Sequence, residues 1–285
     1  MRTACLVLAY AAPRVLAAAV EIYRGIGWDV FVHLDCKADT ARYRAEMGKA
    51  ADLVYFIDEP LSVFWGGFSM VLAEFKLIDA ALRSAQYDFL LYVSDDTFPI
   101  RPPEALAAMP DPACERITMR RVLPGSGFAW RYEGLYHYDH PATNPRGGGP
   151  GRRIDDALVE AITEAQAVGR MGKKHLDIYW GFAYWLLTRP TIEAVLDICR
   201  GDPVLWHSFK YSSQPDEIMI HSVIANYLPD RKTMEGPVYM DFSKPNGPAV
   251  YHRLADLPAD LPTHFYFARK FVPAAGLAPE GTQPA

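Results

Sequence analysis

Long apolar runs alternate with shorter amphipathic segments over the first hundred residues. Residues 3–10 and 29–35 are almost continuously hydrophobic, which is typical of strands buried on both faces of a parallel sheet. Between them, apolar positions recur with the helical period and stop at the glycines of residues 25–27. Strand, helix and strand in succession form a right-handed βαβ unit, so the pattern predicts an α/β fold with a mainly parallel central sheet flanked by helices.

The same reading gives further elements along the chain. Strands are predicted at 52–57, 87–94 and 178–187, and helices at 69–84, 190–200 and 216–226. Thr188 is the predicted N-cap of the 190–200 helix, since its hydroxyl can cap a helix and a proline stands in the first turn.

Residues 110–153 depart from this regular pattern. They are rich in Gly, Pro, Tyr and Arg, and a long segment without periodicity is uncommon unless it forms a functional loop or lid. We predict one domain over residues 1–272, with 110–153 as a mobile loop insertion. Residues 273–285, rich in Ala, Pro and Gly, are predicted to be a disordered tail.

Composition and charge narrow the function classes. The 285 residues carry a net charge of −5, which gives no support for a nucleic-acid partner. Apolar runs fall short of the ~20 residues that a membrane helix needs, and no secretory leader is recognised, so we expect a cytoplasmic protein without membrane insertion. The four cysteines lack a metal-binding spacing, and we expect buried free thiols.

Polar side chains cluster where the predicted strands end. Asp35 and Lys37 follow the second strand, and Ser94, Asp95 and Asp96 close the fourth. Ligands of open parallel sheets bind outside the carboxyl ends of the strands, so these clusters suggest a nucleotide site in which Asp35 accepts a uracil or ribose hydrogen bond. Strand ends are also polar simply because loops are solvated, and for any single cluster both interpretations stay open.

Asp95 and Asp96 raise the question of a metal ion. Neighbouring residues at the end of a strand point to opposite faces, so the two carboxylates are a poor chelating pair. We therefore expect no metal site, with a metal-dependent transferase that uses Asp95 and Asp96 as the alternative.

Charged groups in the second half of the chain provide candidate chemistry. Glu217 lies at the start of a predicted helix, whose N-terminal N–H groups favour an ionised carboxylate. Acids in a first turn also serve only to complement the helix dipole, so a purely structural role stays open. Arg253 and the cations of residues 267–271, which stand among aromatic residues, could neutralise a diphosphate or form surface ion pairs.

Six segments occur in an order that resembles one known family. They are residues 33–39, 63–71, 87–101, 179–185, 213–217 and 267–271. The chain resembles the core-2/I-branching β-1,6-N-acetylglucosaminyltransferases and the related peptide O-xylosyltransferases, in particular the shorter bacterial members.

The resemblance implies a GT-A-like fold and an inverting transfer of a sugar, GlcNAc first, from a UDP-sugar to a hydroxyl of a glycan or glycolipid. It implies no metal and no other cofactor. By the same match Glu217 is the catalytic base, Lys270 contacts the diphosphate and Asp35 lies in the uridine-contacting segment. Arg253 matches the family's second diphosphate cation, although the spacing around it differs.

The resulting candidate site has two parts. The nucleotide-sugar part comprises Asp35, Lys37, Ser94, Asp95, Arg253, Arg269 and Lys270. The candidates for an acceptor or sugar platform are Trp65, Trp180 and Tyr184. A rival of another class is a non-catalytic carbohydrate-binding protein that uses the aromatic strand as its platform.

Overall fold

A seven-stranded sheet lies at the centre of the molecule. The computed structural model describes residues 1–134, 136–141, 143–146, 176–243 and 247–272. The strands are β1 (Thr3–Ala9), β2 (Asp29–Leu34), β3 (Tyr55–Phe56), β4 (Phe89–Ser94), β5 (Phe98–Pro99), β6 (Glu115–Arg116), β7 (Arg120–Arg121), β8 (Tyr179–Trp180), β9 (Trp185–Thr188), β10 (Thr233–Met234), β11 (Val238–Met240) and β12 (Phe267–Arg269). The helices are α1 (Pro13–Gly25), α2 (Thr40–Met47), α3 (Ser69–Ser84), α4 (Pro103–Ala107), α5 (Trp130–Glu133), α6 (Arg189–Gly201), α7 (Pro203–Ser208) and α8 (Met219–Tyr227).

The strand order of the central sheet is β10-β6-β9-β4-β1-β2-β3. Strand β1 pairs in parallel with β2 and β4, and β9 runs antiparallel between β4 and β6. A smaller sheet with the order β11-β12-β5 packs beside it. The predicted α/β architecture, with a mainly parallel central sheet flanked by helices, is confirmed.

Two hydrophobic clusters cover the two faces of the sheet. Successive residues of β1 alternate between them, so that Leu6 packs in the cluster of α3, α6 and α8, and Val7 in that of α1. Both residues are fully buried, as are most of their neighbours in the central strands. The core strands therefore consist of continuous apolar runs instead of alternating ones.

Several predicted elements differ from the observed ones. Helix α3 has the bounds predicted for it, but the predicted strand 178–187 is divided into β8 and β9. Between them, the Gly181 N–H donates to the Glu217 carbonyl at 3.0 Å. A Cβ at Gly181 would lie 1.9 Å from the Thr118 carbonyl oxygen, so only glycine permits this approach. Of the predicted strand 52–57, only Tyr55–Phe56 form a strand, the short β3, and residues 52–53 end the preceding 3₁₀ helix, Gly48–Leu53.

Two predicted helix starts also need correction. The predicted helix 216–226 is a 3₁₀ turn, Pro215–Glu217, followed by α8. Thr188 precedes α6 but makes no side-chain cap, because its hydroxyl donates to Glu115 Oε1 at 2.6 Å. Propensity favours a hydroxyl at the cap, and here a buried carboxylate takes that hydroxyl instead.

The predicted loop 110–153 holds β6, β7 and α5 in its described part. Its residues 136–141 and 143–146 attach to the start of α3. Asp139 accepts hydrogen bonds from the N–H groups of Phe68 and Ser69 at 2.9 and 3.0 Å, and so caps a helix from seventy residues away. Residues 135, 142 and 147–153 of this loop lie outside the described residues, as does the predicted tail 273–285.

Two expectations drawn from composition can be compared with the fold. The four cysteines are free, as predicted, but only Cys5 and Cys199 are buried; Cys36 is exposed and Cys114 is partly buried. None of the helices in the described part of the chain has both the length and the hydropathy needed to cross a membrane.

We predict that Asp139→Ala lowers the free energy of unfolding by about 0.5–2 kcal/mol, because two N–H groups at the start of α3 lose their acceptor. Urea denaturation measures the difference. Asp197→Ala, an exposed aspartate on α6, is the matched control and should change stability less. Equal effects of the two substitutions would show that Asp139 does not stabilise the helix.

Candidate active site

A cavity of about 960 Å³ opens at the carboxyl ends of the central strands. The residues that follow β1, β2 and β4 meet there because the three strands run in parallel. Tyr10, Asp35 and Ser94 line this side of the cavity, and Glu217 and Lys270 also line it. Ligands of open α/β sheets bind at this end, so the cavity is the candidate active site.

Most of the residues predicted from the sequence meet in this cavity. The predicted residues that line it are Asp35, Lys37, Trp65, Ser94, Trp180, Tyr184, Glu217, Arg269 and Lys270. Two are placed elsewhere. The side chain of Arg253 is 73% exposed, pairs with Asp256 at 3.0 Å and borders a separate hollow. Asp95 is fully buried and does not line the cavity.

Asp95 connects β4 to the start of α1 and cannot offer both of its carboxyl oxygens to a ligand. Its Oδ2 accepts hydrogen bonds from the N–H groups of Tyr10, Ala11 and Ala12 at 2.8–2.9 Å, and from the Tyr43 hydroxyl at 2.9 Å. Burial, together with the charge of the neighbouring aspartate, raises the pKa of Asp95, while the three N–H groups oppose the rise. The carboxyl therefore acts as a structural acceptor between β4 and the start of α1.

Asp96 has the opposite environment. Arg269 forms a two-pronged ion pair with both of its carboxylate oxygens, at 2.9 and 2.8 Å. Burial alone would raise the pKa of Asp96, but the charge and hydrogen bonds of Arg269 outweigh it and lower the pKa. Lys270 Nζ lies 3.8 Å from the same carboxylate. Within the described residues, no group of three or more His, Cys, Asp or Glu side chains could hold a metal ion.

Glu217 is held by two donors from other elements. Its Oε2 accepts hydrogen bonds from the Arg131 guanidinium, in a very short ion pair, and from Trp180 Nε1 at 3.0 Å. Both contacts use Oε2, and the described residues place no hydrogen bond on Oε1. The sequence suggested that a helix dipole stabilises the negative charge of Glu217. Glu217 instead ends a 3₁₀ turn and does not begin an α-helix, so Arg131 stabilises that charge.

Two further carboxyls, those of Asp216 and Glu74, lie near Glu217, and both are buried. Burial and then the charge of Glu217 raise the pKa of Asp216 to about 8, and its Oδ1 has no hydrogen-bond partner. Burial also raises the pKa of Glu74 well above its usual range, although Trp185 Nε1 donates to it at 2.8 Å. Burial thus favours the neutral form of both side chains, whereas Glu217 forms an ion pair with Arg131.

Several other predicted residues already contact a cation of the protein. Asp35 receives the ammonium of Lys37 at 2.7 and 2.9 Å. The guanidinium of Arg269 lies 4.8 Å from the ring centre of Tyr184, and that of Arg146 lies 3.9 Å from the ring centre of Trp65. These aromatic faces hold protein cations, so a sugar would have to replace a cation to stack on them.

Sequence reasoning missed two arginines of the cavity, Arg131 and Arg146. Both fall in the predicted loop 110–153, where no periodicity indicates a position. Arg131 could have been found from the aromatic residues near it in the sequence. Its guanidinium carbon lies 5.1–5.7 Å from the ring centres of Phe128, Trp130 and Trp180. The same combination of cation and rings was noticed only for residues 267–271.

Comparison with known proteins gives a family match over most of the chain. The sequence model of the core-2/I-branching enzymes matches residues 28–261. Among curated proteins, none is significantly similar to the chain.

Solved structures give weaker matches. A crystal structure of S. aureus TarS is 16% identical, covers 48% of this chain and 25% of that chain, and has a TM-score of 0.28. A structure of S. aureus TarS 1-349 in complex with UDP-GlcNAc is 17% identical, covers 47% of this chain and 39% of that chain, and has a TM-score of 0.27. The chain thus spans less than half the length of either structure. TM-scores this low describe a partial likeness and indicate nothing about substrate.

The raised pKa of Asp216 gives a prediction about stability and pH. A carboxyl that binds its proton more tightly when folded favours the folded state at low pH. Stability contributed by Asp216 should therefore fall as pH rises from about 4, the pKa of an unperturbed Asp, towards about 8. Asp216→Asn cannot ionise, so relative to wild type it should gain on the order of 1–3 kcal/mol between pH 5 and pH 8.

Urea denaturation of both proteins at the two pH values measures this difference. Asp197→Asn, on the exposed side of α6, is the control and should follow wild type at both. Parallel pH profiles for wild type and Asp216→Asn would show that Asp216 is ionised in the folded protein.

Proposed function

We propose that the chain, which belongs to the core-2/I-branching enzyme family, is a glycosyltransferase that moves a sugar from a UDP-sugar to a hydroxyl of a glycan or glycolipid, with inversion and without a metal ion. The observation that carries the proposal is Glu217, a carboxylate that lines the cavity in an ion pair with Arg131. Arg131 and Trp180 hold one of its oxygens, and the other has no hydrogen bond in the described residues.

Glu217 supplies the base of the proposed reaction. An inverting transfer needs a group that takes the acceptor proton while the hydroxyl oxygen attacks the anomeric carbon. Arg131 and Trp180 fix Oε2, so that Oε1 receives the proton and Glu217 becomes neutral. Burial raises the pKa of Asp216 and so favours its neutral form, which adds no second negative charge beside the base.

The leaving group requires positive charge on the other side of the cavity. As the bond between the anomeric carbon and the phosphate oxygen breaks, its electron pair passes to the diphosphate. Lys270 lines the cavity and is the proposed contact for this charge. Burial and the charge of Arg269 lower the pKa of Lys270, and both costs diminish when an anion binds next to it.

The environment of Asp95 and Asp96 supports a reaction without a metal. A metal bound to the diphosphate takes carboxylate oxygens as ligands. Here three backbone N–H groups and Tyr43 hold Asp95, and Arg269 holds both oxygens of Asp96. Metal binding would have to break the buried ion pair of Asp96, which leaves the charge of Arg269 uncompensated.

The donor and acceptor are proposed from chemistry and family resemblance together. Asp35, at the end of β2, is the proposed contact for the uridine, and Lys37 pairs with it at 2.7 Å. GlcNAc is the sugar favoured by the resemblance. A polysaccharide or a lipid-linked intermediate would provide the acceptor hydroxyl, and we propose neither a nucleic-acid partner nor membrane insertion. The proposed compartment is the cytoplasm.

We predict that UDP binds with the same affinity in EDTA as in Mn²⁺, because Lys270 and not a metal balances its charge. Isothermal calorimetry on the purified chain measures both affinities. Lys270→Ala should weaken UDP binding in either buffer by roughly 10–100-fold, as expected for lost hydrogen bonds to a charged group. Binding that requires Mn²⁺ would favour the rival metal-dependent transferase.

We predict that Glu217→Gln lowers kcat by roughly 10²–10⁴-fold, because the amide cannot accept the proton. UDP-sugar affinity should change little, since the substitution preserves volume and some hydrogen bonding. Turnover of candidate UDP-sugars with glycan acceptors measures the effect, with Glu193→Gln on the exposed side of α6 as control. Undiminished turnover would remove Glu217 from the mechanism. If wild type binds glycans without turnover, the non-catalytic carbohydrate-binding protein is the better account.

A further inference from the structure

Three cations meet on the side of the cavity beside Asp96. Arg146, Arg269 and Lys270 all line it, and they are close enough for the charge of Arg269 to act on both of the others. In the described part of the chain, Asp96 is the carboxylate within ion-pair distance of these cations, and it binds Arg269 and Lys270. Positive charge therefore exceeds negative charge here, which is the condition for binding an anion.

Arg146 differs from the other two because the described residues offer it no carboxylate. What holds it is a backbone scaffold and one ring. Its N–H donates to Asn144 Oδ1 at 2.9 Å, and Asn144 in turn donates to the carbonyls of Trp65 and Tyr138 at 3.0 and 2.8 Å. Asn144 is buried, so this part of the loop is fixed to the segment before α3.

The ring of Trp65 positions the guanidinium without neutralising it. The guanidinium carbon lies 3.9 Å from the ring centre, a cation–π distance. A stacked guanidinium keeps its N–H donors in its own plane, directed away from the ring, where they can bind two oxygens of a phosphate. Partial burial and the charge of Arg269 lower the pKa of Arg146, so the arrangement is unfavourable until an anion arrives.

We propose that Arg146 is the second cation that contacts the diphosphate of the donor, beside Lys270. It takes the role that sequence resemblance gave to Arg253, whose exposed side chain lies outside the cavity. The inference rests on the proposed function, because it takes a nucleoside diphosphate sugar as the ligand.

The three cations then have different tasks. Arg269 donates from Nε and one Nη nitrogen to the two oxygens of Asp96, so a buried carboxylate balances its charge while it supports the site. Lys270 offers a point charge. Arg146 offers a planar fork, which fits the two oxygens of a phosphate and gains strength as negative charge collects on the departing diphosphate.

Isothermal calorimetry with UDP, UMP and uridine tests the assignment on wild type, Arg146→Ala, Arg146→Lys and Lys270→Ala. Arg146→Ala should weaken UDP binding by roughly 10–100-fold and leave uridine binding unchanged. Arg146→Lys, which keeps the charge but lacks the fork and the planar stack, should recover only part of the loss. Arg200→Ala, an exposed arginine paired with Asp79, is the control and should bind all three ligands as wild type does.

Single-turnover measurements extend the test to the reaction. Arg146→Ala should reduce the rate of sugar transfer at saturating donor as well as donor affinity, since the fork contacts charge that develops during bond breaking. Equal thermal stability of the variants confirms that they fold.

Different failures are distinguishable. Normal UDP affinity in Arg146→Ala, together with a loss in Lys270→Ala, would overturn the assignment of Arg146 and leave the proposed function standing. An equal loss for uridine and UDP would overturn it too, since the arginine would then act on the nucleoside or on the loop. A loss confined to Arg253→Ala would return the role to that residue. Wild-type protein that binds no UDP would overturn both proposals.

Discussion

The carboxylate of Asp95 connects the elements on which the site depends. Its Oδ2 takes three consecutive N–H groups at the junction of β1 and α1 and the hydroxyl of Tyr43 from α2. Those N–H groups have no partner in a strand or helix, and without the carboxylate the buried N–H of Ala12 would be left unsatisfied at a cost of about 1–3 kcal/mol. Because Asp95 follows β4 directly, the same contact sets the position of Asp96, and through it that of Arg269 and Lys270.

The carboxyls in and around the described part of the cavity differ in their ion-pair partners and in the effect of burial on their pKa. Asp96 and Glu217 each form an ion pair with an arginine, whereas the described residues give Asp216 and Glu74 no ion-pair partner and burial raises the pKa of both. Within each of the adjacent pairs 95–96 and 216–217, one carboxyl forms an ion pair and its neighbour does not. Adjacent residues can divide in this way because their side chains point in different directions.

The sequence predicted those elements whose own pattern of apolar residues indicates which positions are buried. The continuous apolar runs of β1, β2 and β4 and the stripe of α3 are local signals, and the rule for parallel sheets then places Asp35 and Ser94 near one another. Glu217 was assigned to the same site by the family resemblance. The division of the predicted strand at Gly181 was not predictable, because it depends on a carbonyl of Thr118 from a distant segment. Arg131 and Arg146 were missed for a similar reason: contacts with Glu217 and Trp65, remote in sequence, give them their positions.

Aromatic rings explain how the cavity can hold cations and still attract an anion. Lys37, Arg131, Arg146 and Arg269 each lie within 6 Å of the centre of at least one ring. A ring face stabilises a nearby cation by about 0.5–2 kcal/mol but leaves its charge in place, whereas a carboxylate cancels that charge. Where a carboxylate is also present, as for Lys37, Arg131 and Arg269, the cation serves to organise that carboxylate. Where the described residues provide a ring alone, as for Arg146, the full positive charge remains available to a ligand.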